Sequence, residues 1–171
     1  PVAHGGHFIA RHKGQVVFVR YGITGEEAVV EITSTSSKLA RGDAIEILKP
    51  SEDRVVPPCK YAVPGGCGGC DFQHIEISAQ LELKRSVIRE QFSRLGRIEM
   101  DLDVLPAEPI NGLHWRTRMD FAISKNGKPG LYSARSKEVT EIDKCLIAVE
   151  AINDPAMFAR SWKGDDRLEV A

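Results

Sequence analysis

The chain has 171 residues, 42% hydrophobic and 27% charged, a composition that suits one ordinary globular domain or two small ones and excludes a disordered or fibrous polymer. With 23 Lys and Arg against 24 Asp and Glu the formal charge is -1, so any basic footprint for nucleic acid is local rather than global. No apolar run approaches the roughly 18 residues of a membrane span, and the N-terminus lacks the charged-then-apolar pattern of a secretory signal, which predicts a soluble, cytoplasmic protein.

From Phe8 to Leu48 the chain reads as short strands, clearest at Val16 to Val19, Ala28 to Ile32 and Ala44 to Leu48, where β-branched residues alternate or run together. Lys13-Gly14, Gly22 to Gly25 and Arg41-Gly42-Asp43 have turn compositions. Several short strands within so few residues predict a small barrel. Three prolines between Pro50 and Pro58 then mark a linker. Ser78 is placed to cap a helix whose apolar residues include Leu81, Ile88, Phe92 and Leu95, with Gly96 at its C-terminal end. Strands are predicted over Arg116 to Ser124 and Gly130 to Tyr132, joined by a hairpin at Lys125-Asn126-Gly127-Lys128. A third strand is expected over Lys137 to Ile142, a helix from about Ala148 to Arg160, and a strand beginning at Arg167. Such a terminal strand would leave an unpaired edge, which predicts dimer contacts or disorder after about Asp154.

The four cysteines are spaced unevenly: Cys59-x7-Cys67-x2-Cys70 lies in a glycine-rich loop, and Cys145 follows 75 residues later. Glycine lets a backbone curl tightly enough for several thiolates to converge, and a fourth ligand from Cys145 would tie two distant segments together. Two disulfides are one alternative, disfavoured by the reducing compartment expected for this chain. Zinc and an iron-sulfur cluster both accept four thiolates, and the spacing leaves both open.

CGGCDFQH from Cys67 to His74, the helix LELKRSVIREQFSRLG, HWRTRMDFAIS from His114 and GLYSARSKEVTEIDKC ending at Cys145 together resemble the iron-sulfur-containing RNA uracil-5-methyltransferases. GGHFIARHKGQVVFVRYGITGE near the N-terminus resembles the TRAM domain that precedes the cluster domain in many members. The resemblance implies a mainly β fold with an α+β second unit: an OB-like TRAM β-barrel over residues 1–50, a linker over 51–58, and an iron-sulfur central domain over 59–171, incomplete at its C-terminus. It implies a 4Fe-4S cluster on Cys59, Cys67, Cys70 and Cys145. The seven-residue gap after Cys59 departs from the five residues of many relatives.

In that family a cysteine thiolate adds to C6 of uracil, C5 takes the methyl group of S-adenosylmethionine, and a base removes the C5 proton. The resemblance uses all four cysteines for the cluster, and no strand here runs into a glycine-rich turn and helix of the kind that binds the cofactor. These residues therefore predict the N-terminal, RNA-binding part of such an enzyme acting on rRNA or tRNA. The S-adenosylmethionine site and every catalytic residue are then expected beyond Ala171, and this part alone is expected to be inactive. A non-catalytic zinc- or cluster-containing RNA adaptor is the alternative; a redox role lacks any flavin or nicotinamide motif.

The expected partner is RNA, with neither DNA nor membrane. Leu81 to Arg97 holds five basic residues, among them Lys84, Arg85 and Arg89, against two acidic ones, and Arg85 and Arg89 share a helix flank. Arg116 and Arg118 alternate on the expected strand and face one side, with Arg135 in the following hairpin. Lys13 and Arg20 on the barrel, and His74, complete the candidates for RNA contact, while Trp115 reads as core and Phe72 as a shield for the cluster.

Overall fold

The computed structural model describes residues 2–36, 38–108 and 111–171. The chain forms two compact units, one of Pro1–Val56 with Asp71–Leu105 and one of Pro57–Cys70 with Pro106–Ala171. This differs from a single break at a linker: the cysteine-rich loop leaves the first unit and the helix after it returns.

The first unit is built on β1 (Phe8–His12), β2 (Gln15–Arg20), β3 (Glu27–Thr35) and β4 (Leu39–Lys49). The sheet order is β1-β2-β4-β3, with β4 parallel to β2 and antiparallel to β3. The four strands form one sheet with β1 and β3 at its margins, where a closed barrel would pair those margins. Lys13 and Gly14 both take positive φ, 48° and 83°, the requirement of a two-residue hairpin turn whose twist matches its strands. Arg41-Gly42-Asp43 is strand rather than turn. Gly42 pairs with Val19 on one side and Ile32 on the other, and a Cβ there would lie 2.4 Å from the Glu31 carbonyl oxygen. The glycine serves a close approach of two backbones at an irregular stretch of the β3–β4 ladder. Val17, Val19, Tyr21, Ala40 and Ala44 form the core between the strands.

The proline-rich stretch is bonded, not free: Val55 N–H donates to the His74 carbonyl, Glu76 N–H donates to that of Asp53, and Arg54 pairs with Ile75. This lays Ile75 against Phe8 and Ile23. Glu26 organises the same region from a nearly inaccessible position, its side chain 2% exposed. Its oxygens accept from the amides of Ile23 (2.8 Å) and Ser51 (3.0 Å) and from Arg54 Nε and Nη2, both at 2.6 Å. Burial opposes the Glu26 charge, but Arg54 and the two amides outweigh it and hold the carboxyl below its ordinary range.

Helix α1 spans Ile77–Gln91 with Glu76 at the cap position and no side-chain cap bond, so Ser78 lies inside the helix and does not cap it. Ala79 and Leu83 pack toward Ile75. A wider turn over Phe92–Gly96 follows, and the left-handed residue that ends it is Arg97, φ 54°, rather than Gly96.

The second unit carries β5 (Met119–Ile123), β6 (Pro129–Tyr132), β7 (Val139–Glu141) and β8 (Arg167–Val170) in the antiparallel order β7-β6-β5-β8. The expected hairpin closes through Ser124 and Gly127, φ 77°. The expected terminal helix is divided into a single turn, Glu150–Ile152, and α2, Pro155–Ala159. Asp154 caps α2 through the Ala156 amide, and Pro155 fits its first turn but lacks the N–H a continuous helix would need. After Asp154 the chain forms α2 and then β8, which pairs along β5. Phe121, Met119, Ile147, Ala148, Ile152 and Phe158 form the core beside Cys145, and Phe121 meets Phe158 edge to face at 5.5 Å.

Candidate functional site

All four cysteines belong to the second unit. The 59–70 loop is laid onto the β6–β7 hairpin by Cys67, which pairs with Ser133, and by Gly68, whose N–H donates to the Tyr132 carbonyl at 3.0 Å. A Cβ on Gly68 would stand 2.7 Å from the Ala134 nitrogen, so glycine is what permits this approach. The start of the loop is clasped by a Lys60–Asp143 ion pair at 2.6 Å and by the Asp143 N–H donating to the Tyr61 hydroxyl at 3.1 Å. Cys70 packs on the core that contains Cys145.

Cys145 is the buried member. Burial pushes its thiol up, the amides of Ile147 and Ala148 pull it down, Cys59 raises it and Arg116 lowers it. Asn153, itself 6% exposed, fixes this cysteine's backbone. Its Oδ1 accepts from Cys145 N–H at 2.8 Å, and Nδ2 donates to the carbonyls of Cys145 at 3.0 Å and Ala148 at 3.3 Å. Nothing in the spacing of the sequence singled out Asn153. Amides directed at sulfur and four thiols within one unit suit in kind a thiolate-held centre. Among the described residues, however, no three His, Cys, Asp or Glu side chains are gathered as ligands of one metal ion.

The basic candidates divide between the units. In the second, Arg116 and Arg118 precede β5 rather than lying in it. Arg116 pairs with Ala148 in an isolated bridge, and the amides of Trp115 and Arg116 share the Ile147 carbonyl. Both arginines line an open depression of about 520 Å³, together with Leu131, Asp120, Arg167 and Glu169. Arg118 pairs with Glu169, and Arg167 pairs with Asp120 at 2.5 Å. Arg167 was legible only as one of the alternating residues of the last strand. Trp115 is not core: it is 44% exposed, with the Arg116 guanidinium 5.1 Å from its ring centre, a flat pair on which a base can stack. Arg135 is exposed in the β6–β7 turn at φ 53°.

In the first unit Lys13 is exposed at the hairpin tip and Lys84 on α1. Arg85 and Arg89 do share a flank and converge on one carboxylate oxygen, Asp101 Oδ1, each at 2.6 Å. Three expectations are corrected here. His74 is 3% exposed and bonds through Nε2 to the Gly22 carbonyl at 3.1 Å, with burial lowering its pKa, so it supports the Gly22–Gly25 turn and does not face RNA. Arg20 is buried against Asp71, with Nη2 at 3.0 Å, which removes it as a phosphate contact. Phe72 packs on Phe8, ring centres 6.2 Å apart, in a unit that holds none of the cysteines.

Residues 1–45 match the TRAM domain family. Over 99% of its length the chain is 44% identical to a protein of Streptomyces coelicolor named as an uncharacterized RNA methyltransferase, of which it covers 40%. It is 34% identical, over 88% of its length, to the 23S rRNA (uracil(1939)-C(5))-methyltransferase of Thiobacillus denitrificans, covering 35% of that protein. The chain thus spans about 40% of the length of the curated relatives it matches. Its fold is similar to that of the Pyrococcus abyssi tRNA (uracil-54, C5)-methyltransferase solved with S-adenosyl-L-homocysteine. The TM-score is 0.53 at 23% identity, over 88% of this chain and 34% of that one.

These matches correct the expectation of an inactive RNA-binding part with the catalytic domain absent, and with it the adaptor alternative. Nearly every residue of the chain aligns within proteins named RNA methyltransferases, and its fold is mainly β. No helix among the described residues is long and apolar enough to cross a membrane.

Proposed function

We propose that this chain acts in S-adenosylmethionine-dependent methylation of uracil C5 in rRNA or tRNA. The observation that carries the reading is the alignment over 88% of the chain with a named uracil-C5 rRNA methyltransferase, supported by a shared fold with a uracil-C5 tRNA methyltransferase. The setting is cytoplasmic, where those RNAs are modified.

The contribution assigned to these residues is the handling of RNA around the target. A uracil has to leave its stack before C5 is accessible. The exposed Trp115–Arg116 pair supplies a surface on which a neighbouring base stacks, with Arg118 and Arg167 beside it for phosphate. Arg135 in the same unit, and separately Lys13 and Lys84 in the first unit, are assigned as further phosphate contacts. Cys59, Cys67, Cys70 and Cys145 are assigned as ligands of a 4Fe-4S cluster, which when bound supplies a cross-link between the 59–70 loop and the segment after β7. Asn153 and the amides of Ile147 and Ala148 hold Cys145 for that role.

The test is genetic and chemical. Deleting the gene from its host should remove one 5-methyluridine from rRNA or tRNA, read by nuclease digestion and mass spectrometry, and restoring the gene should return it. An unchanged inventory of 5-methyluridine overturns the reading.

A further inference from the structure

After α1 and its wide turn, residues 97–107 form neither helix nor strand. The first part of this segment places an acidic residue at every second position, Glu99, Asp101 and Asp103, and apolar residues between them, Met100 and Leu102. In an extended backbone that period puts the three carboxylates on one side, about 6.5 Å apart. They meet α1 in reverse order. Glu99 accepts from the Ser93 hydroxyl at 2.7 Å, Asp101 accepts from both Arg89 and Arg85 at 2.6 Å, and Asp103 lies 3.4 Å from Arg85 Nη1. The segment is therefore a short acidic strap laid back along a basic helix flank.

The strap fills the cationic seat incompletely. Both guanidiniums bind a single carboxylate oxygen, each through one nitrogen, so neither fork is engaged in the two-bond manner that arginine offers to carboxylate or phosphate. Arg85 Nε is covered by protein and has no acceptor among the described residues. Its Nη1 reaches only Asp103 and, at 3.7 Å, Glu82. The acids themselves are exposed, with Asp101 and Asp103 side chains 75% and 79% accessible, and exposed pairs of this kind add little to stability. The two arginines hold the Asp101 carboxyl below its ordinary range, so it is charged at neutral pH. Spacing, charge and geometry make the strap resemble a stretch of phosphodiester backbone more than a structural brace.

We propose that Arg85 and Arg89 form a seat for RNA backbone phosphates that Asp101 and Asp103 occupy in the free protein, and that RNA enters by displacing the strap. This rests on the proposed function only in taking RNA as the ligand. Because displacement exchanges one set of ion pairs for another, the strap lowers affinity for any RNA that cannot outcompete it and favours one that reaches several contacts together.

The experiment is a double-mutant cycle on the full chain, using a fluorescent single-stranded oligoribonucleotide and anisotropy. The four proteins are wild type, D101N/D103N, R85Q/R89Q and the combination. Freeing the seat should tighten binding about 3- to 10-fold near 0.1 M salt and steepen the log-log salt slope by about one, since each phosphate neutralised on a single strand contributes about 0.7. In the R85Q/R89Q background the same acidic substitutions should change affinity less than about 2-fold. Trypsin should cut wild type at Arg97 faster when RNA is present, as the strap lifts. Equal tightening in both backgrounds would mean only a general loss of negative charge and would overturn the seat, as would unchanged or weaker binding by D101N/D103N. RNA binding by wild type with no effect of the strap would leave the proposed function standing; no RNA binding by any of the four proteins would overturn both.

Discussion

Replacing Asn153 by alanine removes the bonds that fix the Cys145 segment, and the surroundings show which loss matters. The Cys145 carbonyl keeps the Ala148 amide, that of Val149 keeps the Ile152 amide, and that of Ala148 keeps His114 Nδ1. The Cys145 N–H has Asn153 Oδ1 as its acceptor and would be left buried without one. An orphaned buried donor costs about 1–3 kcal/mol, and the weaker carbonyl bonds bring the expected loss to about 2–3 kcal/mol. With a denaturant slope of about 1–2 kcal/mol per molar urea, the midpoint falls by about 1–3 M. Both tryptophans, Trp115 and Trp162, lie in the second unit, so their fluorescence follows the unit that Asn153 belongs to. N153D sharpens the test, because a carboxylate keeps the acceptor for Cys145 N–H but turns an oxygen toward carbonyl groups. Its folded pKa is raised, so its stability is best below the unfolded value near 4 and is lost as pH rises through the folded value. A midpoint for N153A within about 0.3 M of wild type, or an N153D protein whose deficit relative to wild type is no larger at pH 7 than at pH 4, would refute this account of the Cys145 segment.

Glu26 has a depressed carboxyl, so its contribution to stability is complete above the unfolded value near 4.3 and is lost as pH falls through the lower folded value. E26Q should cost about 1–3 kcal/mol at pH 7 and flatten the acid limb of the melting profile; an unchanged limb would show that the Arg54 pair is not what sets it. C145S should lose most of the iron, sulfide or zinc that anaerobically purified protein carries, and should destabilise the 59–70 loop. Full metal content with unchanged melting removes Cys145 from the ligand set. W115A should weaken binding of a single-stranded RNA roughly 5- to 100-fold, as expected for loss of one stacked base, while leaving the melting of this half-exposed position nearly unchanged. Equal RNA affinity would return Trp115 to a structural role.

Local chemistry was legible where one short stretch decided the outcome. Lys13-Gly14 and Asn126-Gly127 encode their hairpins through positive φ, and Val17 and Val19 announce a half-buried strand by alternation. Legibility failed where a distant segment decides. Gly42 has the composition of a turn, yet its missing side chain is needed by the Glu31 backbone in a neighbouring strand. His74 and Phe72 sit next to the cysteine motif in sequence but fold into the other unit, because Ile75 is drawn onto Phe8 and Ile23. Trp115 carried a large apolar surface that argued for burial, and the hydrogen bonds of residues 114–116 to residues 146–149 place it half out of the core.

The near-zero net charge acquires a structural meaning once the pairs are placed. Arg85 and Arg89 are covered by Asp101 in one unit, and Arg118 by Glu169 and Arg167 by Asp120 in the other, so several of the chain's cations already have a carboxylate on them. On the proposed function, binding of RNA proceeds by exchange of partners. The Coulomb gain of each phosphate contact is reduced by the pair it breaks, and what remains depends on how many contacts form together and on counterions released from the RNA. Arg116 differs, since its guanidinium lies over an indole face and has no carboxylate on it among the described residues. On the proposed function, the surface of the second unit has weak affinity for isolated phosphates and reserves its binding for an RNA that brings a stacking base to Trp115 and phosphates to Arg116, Arg118 and Arg167 at once.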